Sequence, residues 1–442
     1  MKATTDKVSS IGFAKRTLPI AADMVLLPLM WFVELYLMSY VNINAIAVFG
    51  LVAQIVILAF TFFFTLNVGS SIIILKYKQT NNKKDSNMFF SHTVIIAVYF
   101  SLFIGLLFYL FIPFFTSRLG NNTDTIYFLK IVSLSLPFMG FNFIVIGLLR
   151  SCGEGEKSFT INLIITLANL IPIFSYFYIK GKTFFAFHGM KIAGFSLLFS
   201  SVLGSVIIII LMILNFFEFR INVRDFIKLK KDVIKAIFVK SFYLGSEQIL
   251  WASGQTYLTI LAAYFSPVIL AAHNIVRSIQ SLVTMIYQGI GVSFFVHYNE
   301  TSEKLHLFKK VLKHTAIVVL GISVFLLVFN NNIIRFFINS TGYNKLTVAE
   351  FVKYIKLALF IMLTFQIFKA FNIMAGYGLK QIDQLKWLLL ITVISTVIFV
   401  FLGSLVLIHL SVKPIAIIWI IIGADEIFKA VLNGYRFKKE VA

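Results

Sequence analysis

About a dozen runs of roughly 20 apolar residues, rich in Phe, Ile and Leu, recur along this chain with little between them. A run of that length crosses the hydrocarbon layer of a bilayer as a helix, because a helix satisfies its own backbone hydrogen bonds where no water can. The alternating ten-residue strands of a membrane barrel are not seen. A water-soluble core is excluded too, since 59% of the 442 residues are hydrophobic and only 13% are charged. The runs place spans at 18–40, 45–75, 89–115, 126–148, 158–179, 192–216, 237–264, 268–298, 311–337, 354–379, 386–409 and 413–433. The sequence therefore predicts an all-α membrane protein of twelve transmembrane helices in two pseudo-symmetric six-helix lobes. The N-lobe is 1–217, a cytoplasmic basic linker is 218–236, and the C-lobe is 237–442.

A net charge of +21 would suggest nucleic acid in a soluble protein, but here the position of the charges decides. Of 39 Lys and Arg, 27 fall at the termini and in alternate loops, including seven between Arg220 and Lys240, and ten fall in the opposite loops. Arg277 and Lys369 lie inside spans. That asymmetry is the positive-inside pattern, which puts both termini in the cytoplasm and the basic loops against lipid headgroups. The expected setting is a plasma (inner) membrane, multi-pass and monomeric, with membrane lipids as partners and no nucleic acid. The first run, Leu18 to Tyr40, is too long for a signal-peptide core and is read as a retained helix. One cysteine, Cys152, excludes an internal disulfide and a multi-cysteine metal centre.

An internal repeat supports two parallel lobes. Phe141, Asn142, Leu149 and Arg150 recur as Phe371, Asn372, Leu379 and Lys380 at the same spacing, and AIAVFGLVAQI (Ala45 to Ile55) lies over ILAAHNIVRSI (Ile269 to Ile279). The latter offset sets Asp23 opposite Glu247. Parallel halves of this kind place a substrate path between them.

Charged side chains inside a membrane cost about 2.5–3.5 kcal/mol each and normally face a bundle interior or a water-filled cavity. Asp23, Glu34, Glu247, Arg277 and Lys369 are such residues. Asp23 and Glu34 share one face of the first helix, with Pro28 between them expected to kink it. Glu247 and Lys369 sit at similar depth and invite pairing, either as a static lock or as a switch. His273, Arg277, Gln280, Thr284 and Gln288 make a polar stripe that faces water, substrate or a packed helix. Gly181, Lys182 and Thr183 mimic the end of a phosphate loop, but Tyr176 stands where its first glycine belongs, in a segment read as an external loop. Metal-binding and hydrolase motifs are not seen, so an enzyme is not expected and no metal site or cofactor is assigned. Asn121, Asn122 and Thr123 form a sequon-like triplet.

Several segments resemble the multidrug and toxic compound extrusion (MATE) transporters. They are Leu18 and Pro19 with Glu34 beyond them, SLPFMGFNFIVIGLLRSCGEGEK (Ser135 to Lys157), LGSEQILWASG (Leu244 to Gly254), ILAAHNIVRSI, QIFKAFNIMAGYGLK (Gln366 to Lys380) and DEIFKAVLNGYRFKK (Asp425 to Lys439). The resemblance implies export of amphiphilic, often cationic compounds against H+ or Na+ by alternating access. It also implies that Glu34 is the N-lobe coupling acid, with Asn169 supporting it, and that Glu247 is the acid of the seventh helix; Asp23 joins the expected coupling residues from its place on the same face of the first helix as Glu34. Two departures stand out: Ile173 where some members carry a second acid, and Lys369 where sodium-linked members often carry an aspartate. The lysine should repel sodium, which turns the expectation toward proton coupling through Glu34. Glu247, Lys369, Arg277, His273 and Gln280 are then expected to shape a C-lobe substrate site. The alternative is a flippase for a lipid-linked oligosaccharide or other lipid, with Arg277 and Lys369 holding an anionic head.

Overall fold

The computed structural model describes residues 10–80, 82–113, 116, 123–220, 230–297, 304–338, 345–410 and 413–441. The middle of the expected linker, 221–229, and the sequon residues Asn121 and Asn122 lie outside them. All regular elements among the described residues are helical. They are α1 (Ser10–Met38), α2 (Ile43–Gln79), α3 (Lys83–Leu110), α4 (Thr123–Ser151), α5 (Gly155–Ile213), α6 (Lys231–Phe265) and α7 (Pro267–His297). These are followed by α8 (Lys304–Val328), α9 (Asn330–Phe336), α10 (Lys345–Gln381), α11 (Leu385–Ser395), a π-helical segment (Thr396–Leu402), α12 (Gly403–Leu410) and α13 (Pro414–Val441). The described residues of each of the twelve expected spans fall mostly on one of these elements or on a consecutive run of them.

Nine stretches among the described residues are long and apolar enough to cross a membrane. α6 and α13 fall short of that mark for different reasons: α6 sets Gln248, Ser253, Gln255, Thr256 and Thr259 among its apolar residues, and α13 carries the charges of Asp425, Glu426 and Lys429. α5 holds two of the expected spans. A loop was expected over 180–191, yet helix persists on both sides of Gly181, which alone turns the chain with φ +81° and ψ +166°. Only a residue without a Cβ takes that conformation at little cost, so one glycine replaces a loop. Asn42 starts α2 by accepting the Ala45 N–H at 2.7 Å, and Asn82 starts α3 by accepting from Asp85 N at 3.2 Å.

The chain gathers into two compact units, Met1–Phe32 with Gly254–Ala442, and Val33–Ser253. In the second, α4 packs on α5 and α3, and α2 on α3 and α4, around fully buried Phe63, Phe90, Phe128 and Phe185. Tyr99, Leu102, Leu106 and Leu110 form the opposite, exposed stripe of α3 at helical spacing, as a lipid-facing surface requires. In the first unit α10 packs on α13 and α7, with Tyr287, Phe294, Trp419 and Phe437 enclosed.

Because lipid is as apolar as leucine, helices in a membrane are held by close packing and polar contacts rather than by hydrophobic burial. Small residues let backbones approach. A Cβ on Gly69 of α2 would come within 2.9 Å of the Ser241 Cα in α6, and one on Gly245 would strike Thr65 four residues before Gly69. In the other unit a Cβ on Gly289 would lie 2.5 Å from the Ala21 Cα.

The repeat reappears as geometry at a constant offset of 230 residues. α4 ends in a turn where Glu154 N donates to Leu149 O at 2.8 Å, and α10 ends in one where Gln384 N donates to Leu379 O at 2.9 Å. The left-handed residue inside each is Gly153 (φ +97°) and Asp383 (φ +58°), again 230 apart.

Candidate functional site

Glu34 lies on α1 and Asn169 on α5, in the same unit, and both are buried to within 1% of full enclosure. The Asn169 side chain is the polar neighbour of the Glu34 carboxyl. Neither Asn169 amide atom nor Glu34 Oε1 has a hydrogen bond of acceptable geometry. Buried polar atoms in native proteins almost always find partners, so this cluster is chemically incomplete. An ionised carboxylate is costly to enclose without a counter-charge, and a proton or a small cation removes that cost.

Asp23 is also buried, further toward the start of α1, and belongs to the other unit. Pro28 lies within α1, which runs as one element from Ser10 to Met38. Glu247 is half-buried on the part of α6 that belongs with Glu34.

The structure sets Glu426 of α13 against Lys369, with Nζ 3.3 Å from Oε1, an acid that the sequence reading did not name. Asn372 Nδ2 donates to Glu426 Oε2 at 2.9 Å, and Asn433 Nδ2 donates to Asn372 Oδ1 at 2.9 Å. Lys429 pairs with Asp425 at 2.8 Å one turn along α13. Both pairs are almost wholly enclosed, and such pairs persist only when hydrogen bonds also satisfy them, as Asn372 does here.

The α7 stripe divides between neighbours. Arg277 donates to Gln255 Oε1 of α6 at 2.5 Å. His273 Nε2 sits 3.3 Å from Thr259 Oγ1, whose own proton goes to Gln255 O, so the imidazole is the donor there. Gln280 turns instead toward a cavity of about 10 Å³ that it lines with Gln366, Lys369, Trp419 and Glu426. That is room for about one water-sized particle. Thr284 is buried and Gln288 is half-buried.

Sequence reasoning missed Asp425, Glu426 and Lys429. The signal was present, since three ionisable residues stand inside the expected span 413–433. Lys429 had been grouped with the cytoplasmic cations, whereas it is buried beside Asp425. Among the described residues, no group of three or more His, Cys, Asp or Glu is placed to hold a metal.

An all-helical chain of membrane-crossing elements with acids and amides buried among them is a polytopic membrane protein. The MatE family model matches residues 19–175 and 244–405, and the chain belongs to that family. No curated protein matches the sequence. Three solved structures of similar fold are a MOP superfamily transporter from Pyrococcus furiosus, described as having a binding pocket of reversed polarity, and a multidrug resistance MATE family transporter in its inward-facing and outward-facing conformations. Identities are 15%, 16% and 14%, with TM-scores of 0.74, 0.73 and 0.72. The alignments cover 97%, 96% and 97% of this chain and 95%, 94% and 95% of theirs.

Proposed function

We propose that this MatE transporter exports amphiphilic, cationic organic compounds across the plasma (inner) membrane as a monomer, driven by inward proton flux. The observation that carries this reading is the enclosed Glu34 carboxyl, whose Oε1 is unsatisfied beside an equally unsatisfied Asn169. Glu34 takes up the proton on the outer side and releases it inward, and Asn169 orients the carboxyl between the two states. Alternating access supplies the cycle, since one fold of this family is known both inward- and outward-facing. Proton rather than sodium is favoured because Lys369 and Lys429 stand among the acids of the other unit and oppose a second cation.

Vesicles containing the protein separate the alternatives. A pH gradient alone should drive accumulation of a cationic dye, a sodium gradient alone should not, and Glu34→Gln should abolish the pH-driven flux while leaving the unfolding temperature unchanged. Undiminished flux in that variant removes Glu34 from the mechanism. The second reading, a flippase for a lipid-linked oligosaccharide or other lipid, draws on the basic side chains Arg277 and Lys369 inside spans. It predicts that an anionic lipid-linked diphosphate, not the dye, is moved.

A further inference from the structure

The residues that follow α5 are fastened to α3. Phe217 and Phe219 are buried, and the Phe219 ring stacks on Phe90 with centroids 5.2 Å apart. Arg220 N donates to Asn87 Oδ1 at 3.2 Å, and the Arg220 carbonyl accepts from Ser91 Oγ at 3.4 Å. Lys230, just before α6, meets the same end of α3. Its N–H donates to His92 Nε2 at 3.1 Å, and its Nζ lies 3.2 Å from Met88 Sδ. Asn87, Met88, Ser91 and His92 thus form one docking face for both described ends of the segment that joins α5 to α6.

The imidazole of His92 is fully enclosed, and both of its nitrogens are committed. Nδ1 is 2.8 Å from the Met88 carbonyl, an acceptor, so Nδ1 carries the hydrogen. Nε2 therefore presents its lone pair to the Lys230 N–H. A second proton on the ring would occupy that lone pair and set two N–H groups against each other. The charged groups near it along α3 and around the two described ends of the joining segment are of both signs. Arg220, Lys230 and Lys231 are cationic; Glu218 is paired with Lys78 at 2.7 Å; Asp85 accepts from Asn82 Nδ2 at 2.8 Å; and Asp232 lies in the first turn of α6.

We propose that His92 is a proton-binding site that controls whether the start of α6 is docked on α3: docked with the ring neutral, released with the ring protonated. Histidine is the side chain whose charge changes over the range of pH that cells experience. The site lies at the end of α3 that the charge asymmetry assigns to the cytoplasm, so it reads cytoplasmic acidity rather than the external proton. It does not depend on Glu34 or on transport.

The test is amide hydrogen exchange of residues 230–234 in the full-length protein, at about pH 8 and about pH 5.5, normalised for the chemical exchange rate. Loss of one hydrogen bond should speed exchange about fivefold at the lower pH. His92→Gln, whose side-chain oxygen accepts without titrating, should exchange slowly at both, and His92→Ala rapidly at both. Wild-type exchange that does not change with pH overturns the proposal. So does a His92→Gln variant that keeps the wild-type pH dependence.

Discussion

Lys369 shows what a single buried charge demands. Its ammonium is held by Glu426, and Glu426 is held in turn by Asn372. Removing one member of a buried pair leaves the other uncompensated, which typically costs about 3–5 kcal/mol. Lys369→Met should therefore lower stability by about that amount, and adding Glu426→Gln should restore part of it; thermal unfolding of the two variants in detergent checks both. If the single change is neutral, the pair does not hold α10 to α13. The sequence made part of this legible. Glu34 and Lys369 stand out because an ionisable side chain in an apolar run needs a reason, whereas Asn169 was named through the family resemblance alone. Which acid Lys369 meets was not legible, because matching depth along two helices leaves the lateral neighbour open. Glu426 escaped notice because its run of charges reads as the approach to a cytoplasmic terminus.

At the scale of elements the repeat was readable as four residues and proved to be a whole helix ending. Asn142 accepts from Ser205 Oγ at 2.8 Å and donates to Ser201 O at 2.8 Å, whereas its counterpart Asn372 serves Glu426 and Asn433. One framework therefore carries a neutral clamp in one half and a charged one in the other. Gly153 occupies the left-handed position of the first ending, where a side chain costs about 1–2 kcal/mol. Gly153→Ala should lower stability by at least about 1 kcal/mol in a thermal melt. The contact of α2 with α6 was not readable, since small residues in an apolar run look alike whether they face lipid or another backbone. A Cβ at Gly69 would meet the Ser241 main chain, which cannot rotate away as a side chain would. Gly69→Ala should then cost about 1–3 kcal/mol as overpacking, and thermal unfolding of that variant would show it; an unchanged melt would mean that the two helices part freely.

For the molecule as a whole, spans were the most legible feature and packing units the least. Length and hydropathy locate a helix in a bilayer without reference to any neighbour. Grouping depends on lateral contacts, which gather the chain into two units that divide within α1 and within α6. Orientation is expected from charge: with the enclosed Lys429 left out, 26 of the 39 cations fall on the side assigned to the cytoplasm. The lone cysteine makes that assignment testable. Burial pushes the Cys152 thiol up to about 12, so at neutral pH almost none of it is the thiolate that attacks a maleimide. Against that silent background, cysteine placed at exposed Lys182 should react with a membrane-impermeant maleimide applied to intact cells. Cysteine placed at exposed Lys438 should react only after the membrane is opened. The reverse pattern would put the basic loops outside, leave the charge asymmetry unexplained, and place His92 and the docked start of α6 on the face that meets the external proton.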